Sequence, residues 1–250
     1  MKLFLLSLLT CALTINAQVK QPFVPPTKIP FPESLQAVVV TTKDWRTVQG
    51  TARIYERGST KGEWKQVGNE FPVVVGRSGL AWSIDSAPEG SFQPKKEGDG
   101  KSPAGLFPLT FAFGTAIKPE GLSLPYTKLE QFTECVDDVN STHYNKVVDR
   151  MKVGNFDWKS SEKMLEVGEQ YGLGVFVAYN SYPVIRGNGS CIFLHVWKDQ
   201  AIGTSGCTAM ERKDLERLVA WLQPSKNPYL VQLPEDAYKK YRKSWNLPNL

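Results

Sequence analysis

Two side chains in this sequence could together carry acyl-transfer chemistry. His195 lies in the apolar run Ile192-Phe193-Leu194-His195-Val196, and Cys207 follows in the small-residue turn Thr204-Ser205-Gly206-Cys207-Thr208. A thiol attacks as its thiolate, so a reactive cysteine needs a base nearby and an electropositive setting. His195 could be that base, and a helical pattern expected to begin near Met210 would add partial positive charge from its free N–H groups. Gly206 lets the backbone approach a reacting carbonyl closely, and the N–H groups of Gly206 and Cys207 are the natural donors to an oxyanion. The chain holds only two histidines, which gives this placement weight. Spacing alone leaves open the alternative of a core histidine and a structural cysteine.

A second patterned stretch, Gly98-Asp99-Gly100-Lys101-Ser102-Pro103-Ala104-Gly105-Leu106-Phe107, is a turn returning to strand. With the first, it resembles the L,D-transpeptidase catalytic domain (YkuD-like) family over roughly residues 37–233. That family carries G-D-x-x-T/S-P-x-G-x-F/Y, then a histidine on a strand, then S/T-H-G-C-x-R. Ser102 fits as the small hydroxyl residue, and Thr204, Gly206 and Cys207 match. Ser205 stands where the family has His, Ala209 where it has Arg, and the His-to-Cys spacing is shorter.

The resemblance implies a thioester on Cys207, His195 as base and later activator of an amine acceptor, and peptidoglycan stem peptides as substrate. It also implies acylation of Cys207 by carbapenems. A backbone carbonyl often orients the histidine in this family, which leaves Asp99 to shape its turn. No metal and no cofactor enters this chemistry. Thr204 and Ser205 are expected at the substrate, with Tyr179 and Asn180, or the similar pair Tyr144-Asn145, pointing polar tips into the cleft. With Ala209 in place of arginine, a substrate carboxylate would be met by Arg186 or Arg77. Arg186 is favoured because 186–189 lead into the His195 strand. A peptidase or carboxypeptidase using the same pair, and an inactive wall-binding module, are the alternatives. Sortases expect an arginine after the cysteine, where Arg212 is the first available, and papain-like enzymes place Cys before His. His143 is the rival base but reads as loop surface, and Asp137 and Asp138 read as loop acids without a metal partner.

These residues need elements to hold them. Residues 37–42, 52–57, 64–67 and 71–75 read as strands, with 76–82 turning into another. Short Gly/Asn/Asp breaks between them predict a mainly β protein, a β-sandwich or barrel core with a few peripheral helices. Helices are expected over 160–171, ending at Gly172, over 211–222, and over 235–245, where Tyr238, Tyr241 and Trp245 would pack on the sheet. Residues 135–150 read as an irregular loop. No internal repeat is visible.

Residues 1–17, with Lys2 before an apolar stretch and a small residue at Ala17, read as a secretory signal. Residues 18–36 are proline-rich and read as a tether, and 37–250 as the catalytic domain. Signal removal lowers the net charge from +5 to +4. That mild excess suits an anionic envelope and not nucleic acid, and no later segment is long and apolar enough to span a membrane. The protein is therefore expected to be exported, to the periplasm or cell envelope. Three cysteines would then remain: if Cys207 is the nucleophile, Cys135–Cys191 is the one intrachain bridge available.

Overall fold

The computed structural model describes residues 27–28, 30–88 and 94–250. The signal expected at 1–17 and most of the tether lie outside the described residues. Fourteen strands follow in chain order: β1 (Gln36–Thr42), β2 (Gln49–Glu56), β3 (Lys65–Gln66), β4 (Phe71–Val74), β5 (Leu80–Trp82), β6 (Ser102–Gly114), β7 (Tyr126–Lys128), β8 (Thr133–Val136), β9 (Val147–Asp149), β10 (Ser161–Lys163), β11 (Leu173–Val177), β12 (Phe193–Val196), β13 (Thr208–Met210) and β14 (Tyr229–Pro234). Helix α1 (Arg212–Trp221) precedes β14 and α2 (Glu235–Tyr241) follows it.

The strands β1-β14-β6-β11-β12-β13-β4-β2 form one path, and β1 pairs back onto β2, so the sheet closes into a barrel. Closure removes the free edges that an open sheet would expose. Strand alternation sorts side chains to two sides of the wall. Leu194 and Val196 of β12 join a large core with Val38, Ile54, Val175 and Val231. Phe193 faces the other way, into a second cluster with Phe111, Phe113, Phe176 and Cys207. A small sheet, β10-β8-β9, stands outside the barrel and contributes Cys135 and Val147 to that second cluster.

Four expectations are corrected. Residues 160–171 are not an α-helix: β10 pairs with β8, placing Glu162 opposite Cys135, and a 3-10 turn, Gly168–Tyr171, follows. Lys163 is drawn to the buried Glu134 (2.6 Å), and Gly168 adopts φ 75°, so tertiary pairing overrides local helix preference. Residues 135–150 are not a loop throughout, because β8 and β9 form a hairpin whose Val136 and Val148 bury against Trp158. Asp138, in the loop between them, accepts the N–H groups of Asn140 and Lys159. The tether ends early: Phe31–Glu33 form a 3-10 turn with Phe31 buried, and β1 starts at Gln36. Finally, β13 separates Cys207 from α1, which starts at Arg212. Three strand residues span about 10 Å, beyond the first-turn reach of the helix field.

Candidate active site

β12 and β13 run parallel, with Leu194 opposite Thr208 and His195 opposite Ala209. Cys207 immediately precedes β13, so it comes beside Phe193, on the face of the sheet that also carries His195. Both line one cleft of about 380 Å³, together with Thr204, Ser205 and Ala209 from the sequence motif. Glu162, Tyr171, Trp197, Lys198 and Ile202 complete much of the wall.

The cysteine turn is held from behind. The carbonyl of Cys207 accepts hydrogen bonds from Ser102 Oγ (2.8 Å) and Thr204 Oγ1 (2.6 Å). Ser102 Oγ also accepts the N–H of Gly76 (2.8 Å), so the small hydroxyl of the first motif ties β6 to the turn after β4 and to the cysteine turn. Gly76 is required here, because a Cβ would lie 2.4 Å from the carbonyl oxygen of Gly100. One residue further on, Thr208 Oγ1 donates to Gln232 Oε1 (2.6 Å), whose Nε2 donates to the carbonyl of Pro103 (2.8 Å). Asp99 shapes its turn as expected, accepting the N–H groups of Lys96 and Lys101 and pairing with Lys95 Nζ at 2.7 Å.

The thiol itself is buried. Its Sγ accepts the N–H of Phe193 (3.3 Å) and donates to the carbonyl of Cys191 (3.4 Å). Cys191 is bridged to Cys135 across a Cα–Cα distance of 5.9 Å, which leaves Cys207 as the free cysteine among the described residues. Burial pushes the Cys207 thiol well above the usual range, Glu162 pushes the same way, and the Phe193 N–H, Tyr171 hydroxyl and Lys95 oppose it. Lys95 is the cation that acts on the thiol in place of the expected helix field, but weakly, since it is paired with Asp99 and burial prevails.

His195 Nδ1 lies 2.8 Å from the carbonyl of Val196, a backbone oxygen, as the resemblance implied. That contact favours the Nδ1–H tautomer and leaves Nε2 as the basic nitrogen. Burial pushes the imidazole down to about 4, against the Val196 bond. The pair therefore rests at neutral pH as thiol and neutral imidazole, a combination in which the nitrogen can take the sulfur's proton as attack occurs.

Several expected residues lie elsewhere. Tyr179 donates its hydroxyl to the carbonyl of Asn188, and Asn180 holds the carbonyls of Ile185 and Gly189 (both 2.9 Å). Asn145 Nδ2 in turn holds the carbonyls of Tyr179 (2.9 Å) and Asn180 (2.8 Å), and its Oδ1 accepts the N–H of Cys191. The two Tyr-Asn pairs thus brace one another and the Cys191 turn, where the backbone sits at φ 55°, instead of pointing into the cleft. Arg186 is exposed and does not line the cleft. Arg77 does reach its rim, with Nη1 3.1 Å from Ser205 Oγ and its N–H on the carbonyl of Thr204. His143 sits with Asp157 (3.5 Å) and the edge of Trp158, away from the cleft. No cluster suited to a metal ion occurs among the described residues.

Sequence reasoning missed Glu162 and Tyr171. Tyr171 hydroxyl donates to Glu162 Oε2 (2.6 Å), and its ring meets the His195 ring edge-on at 5.3 Å. Both fall in the segment expected to be helical, and a three-residue strand is too short to show a period of two.

A thiol, an imidazole and a backbone-held turn thus share one cleft on two parallel strands of a small closed barrel. The chain belongs to the YkuD family, the L,D-transpeptidase catalytic domain, whose model matches residues 36–231. It is accordingly of the L,D-transpeptidase kind, an enzyme class related to peptidoglycan. Among solved structures it is similar to the helical cell shape determining protein Pgp2 of Campylobacter jejuni, with 15% identity and a TM-score of 0.40, covering 80% of this chain and 47% of that one. It is also similar to Bd1075 of Bdellovibrio bacteriovorus, with 14% identity and a TM-score of 0.41, covering 86% of this chain and 59% of that one. The chain thus spans about half the length of these proteins. No curated protein matches it.

Proposed function

We propose that this protein is an exported cysteine acyltransferase acting on peptidoglycan stem peptides. Cys207 attacks a peptide carbonyl as His195 Nε2 takes its proton. The C–N bond then breaks as the leaving amine receives that proton, and the thioester passes to an amine acceptor. The observation that carries this reading is the placement of Cys207 and His195 on one face of neighbouring parallel strands in a shared cleft. Family membership supports it independently.

Gly206 and Cys207 remain the proposed oxyanion donors. A side chain at 206 would press on the carbonyl oxygen of Lys101 at 3.2 Å and Ile192 at 3.3 Å. The Gly206 N–H donates to Thr204 Oγ1 (3.1 Å) at rest, so its part in catalysis requires that bond to yield. For a substrate carboxylate we propose Arg77 in preference to Arg186, because Arg77 touches Ser205 at the rim. Export, to the periplasm or envelope, is supported by the signal-like residues 1–17 and by a disulfide of the kind that persists in oxidising compartments.

Incubating purified wall material with the protein and with Cys207→Ala, and weighing the products, tests the reading. Wild type should yield transferred peptides and form a carbapenem adduct, and a folded Cys207→Ala protein should do neither. His195→Ala should slow adduct formation by about 10²–10⁴-fold, as loss of a general base does. Turnover by folded Cys207→Ala would exclude this nucleophile. Products that gain water in place of an amine would assign the peptidase alternative.

A further inference from the structure

Among the described residues, Glu162 is the one carboxyl lining the Cys207 cleft. Its sequence neighbour Lys163 is engaged elsewhere, with Glu134, and no ion pair to Glu162 occurs among the described residues. Lys198 lines the same cleft but makes no ion pair with Glu162 among the described residues. The hydrogen bond given to this carboxyl comes from Tyr171, whose ring packs against His195. Burial pushes Glu162 up to about 7; the Tyr171 bond opposes this, and Asp137 and Glu97 add to it. A half-buried carboxyl without a counter-cation is poorly satisfied electrostatically whenever it ionises. A cationic group entering the cleft would supply what the protein does not.

Acyl transfer to an amine brings such a group, because a primary amine is an ammonium ion at neutral pH. We infer that Glu162 docks the ammonium of a primary-amine acceptor and takes its first proton, an assignment that rests on the acyl-transfer reading of Cys207. The ammonium gives one proton to the Glu162 carboxylate, and the freed nitrogen lone pair attacks the thioester carbonyl. The C–N bond forms and the C–S bond breaks. The nitrogen's second proton passes through His195 Nε2 to Cys207 Sγ. Three N–H protons are thus accounted for: one stays on the amide, one is on Glu162 and one on sulfur. Tyr171 holds the carboxyl toward this position by its hydrogen bond.

The test acylates the enzyme with a stem peptide and offers lysine amide, a charged acceptor, in competition with hydroxylamine, which is uncharged at neutral pH. Products are counted by mass for wild type, Glu162→Gln and Glu162→Asp. Gln still accepts the Tyr171 hydroxyl but carries no charge. Glu162→Gln should lower the ratio of lysine-amide product to hydroxamate at least tenfold and raise the KM for lysine amide. Glu162→Asp should retain most of the wild-type ratio. An unchanged ratio in Glu162→Gln, or an equal loss of both products, would overturn the assignment. Absence of any Cys207 acyl-enzyme in wild type would remove the acyl-transfer reading and this inference together. An acyl-enzyme whose product ratio ignores residue 162 would remove the inference alone.

Discussion

His195 and Glu162 sit in the same cleft and depart from their ordinary pKa values in opposite directions, because burial disfavours the charged form of each. The histidine, at about 4 folded and about 6.5 unfolded, binds fewer protons when folded. Its contribution to stability is therefore present above pH 6.5 and lost as pH falls toward 4. The glutamate, at about 7 folded and about 4.3 unfolded, binds more protons when folded. Its contribution is present below 4.3 and lost as pH rises toward 7. Each is worth roughly 3 kcal/mol over nearly the same window, so in wild type they offset. We predict that urea midpoints of Glu162→Gln rise between pH 4.5 and 6.5, while those of His195→Gln fall. Parallel slopes in the two variants would contradict the opposed shifts.

At the scale of elements, β6 begins at Ser102, and that residue couples β6 to the Gly76 turn and to Cys207. Ser102→Ala leaves the buried Gly76 N–H and Cys207 carbonyl short of a partner, which costs about 1–3 kcal/mol. It should also lower turnover through misplacement of the cysteine turn. A melting curve and an acylation rate measured on one sample check both effects. The Cys135–Cys191 bridge joins the outer sheet to the segment entering β12 across a sequence separation of 56. A loop of that length corresponds to about 4 kcal/mol in the chain-entropy model. Cys135→Ser should lower Tm by roughly 8–16 °C, with a smaller effect on activity at temperatures below the transition. The smaller effect is expected because Asn145 still holds the Cys191 N–H. A melting point equal to wild type would contradict this.

At the scale of the molecule, the barrel closes only when β1, near the start of the described chain, lies between β2 and β14. The segment just before β1 is clasped by Arg57, which donates to the carbonyls of Ser34 (2.7 Å), Thr60 (2.8 Å) and Pro32 (2.5 Å) and stacks over Trp64 at 4.4 Å. Phe31 stacks on the same Trp64 and meets Tyr229 of β14 edge-on, so the segment before β1 and strand β14 share this seam. Arg57→Met keeps the apolar stem but removes the donors. It should cost roughly 3 kcal/mol and raise hydrogen exchange over residues 31–36 more than in β12. Uniform exchange across the protein would argue against a local clasp.

The motif residues decided much of this protein before any fold was known. Cys207, His195 and Ser102 stood out because residue type and close sequence neighbours carry a motif, and the structure places the first two in one cleft and the third behind it. The β-rich architecture was legible because alternation over five or more residues is a local signal, as in β2, whereas β14, buried along its whole length, carried no such period. Tertiary structure decided what depends on distant partners. Glu162 and Tyr171 reach the cleft because β10 pairs with β8, and Arg77 reaches Ser205 because Gly76 pairs with Thr204. Tyr179 and Asn180 turned away from the cleft because nearby carbonyls and Asn145 satisfy them. The thiol's expected electropositive setting is absent: three strand residues carry α1 out of range, and burial outweighs the distant Lys95. The physical reason is the same in each case. Side-chain chemistry and strand alternation are properties of a few consecutive residues. A pairing partner, a counter-charge or a buried acceptor is supplied by another part of the chain, and only closure of the barrel brings it there.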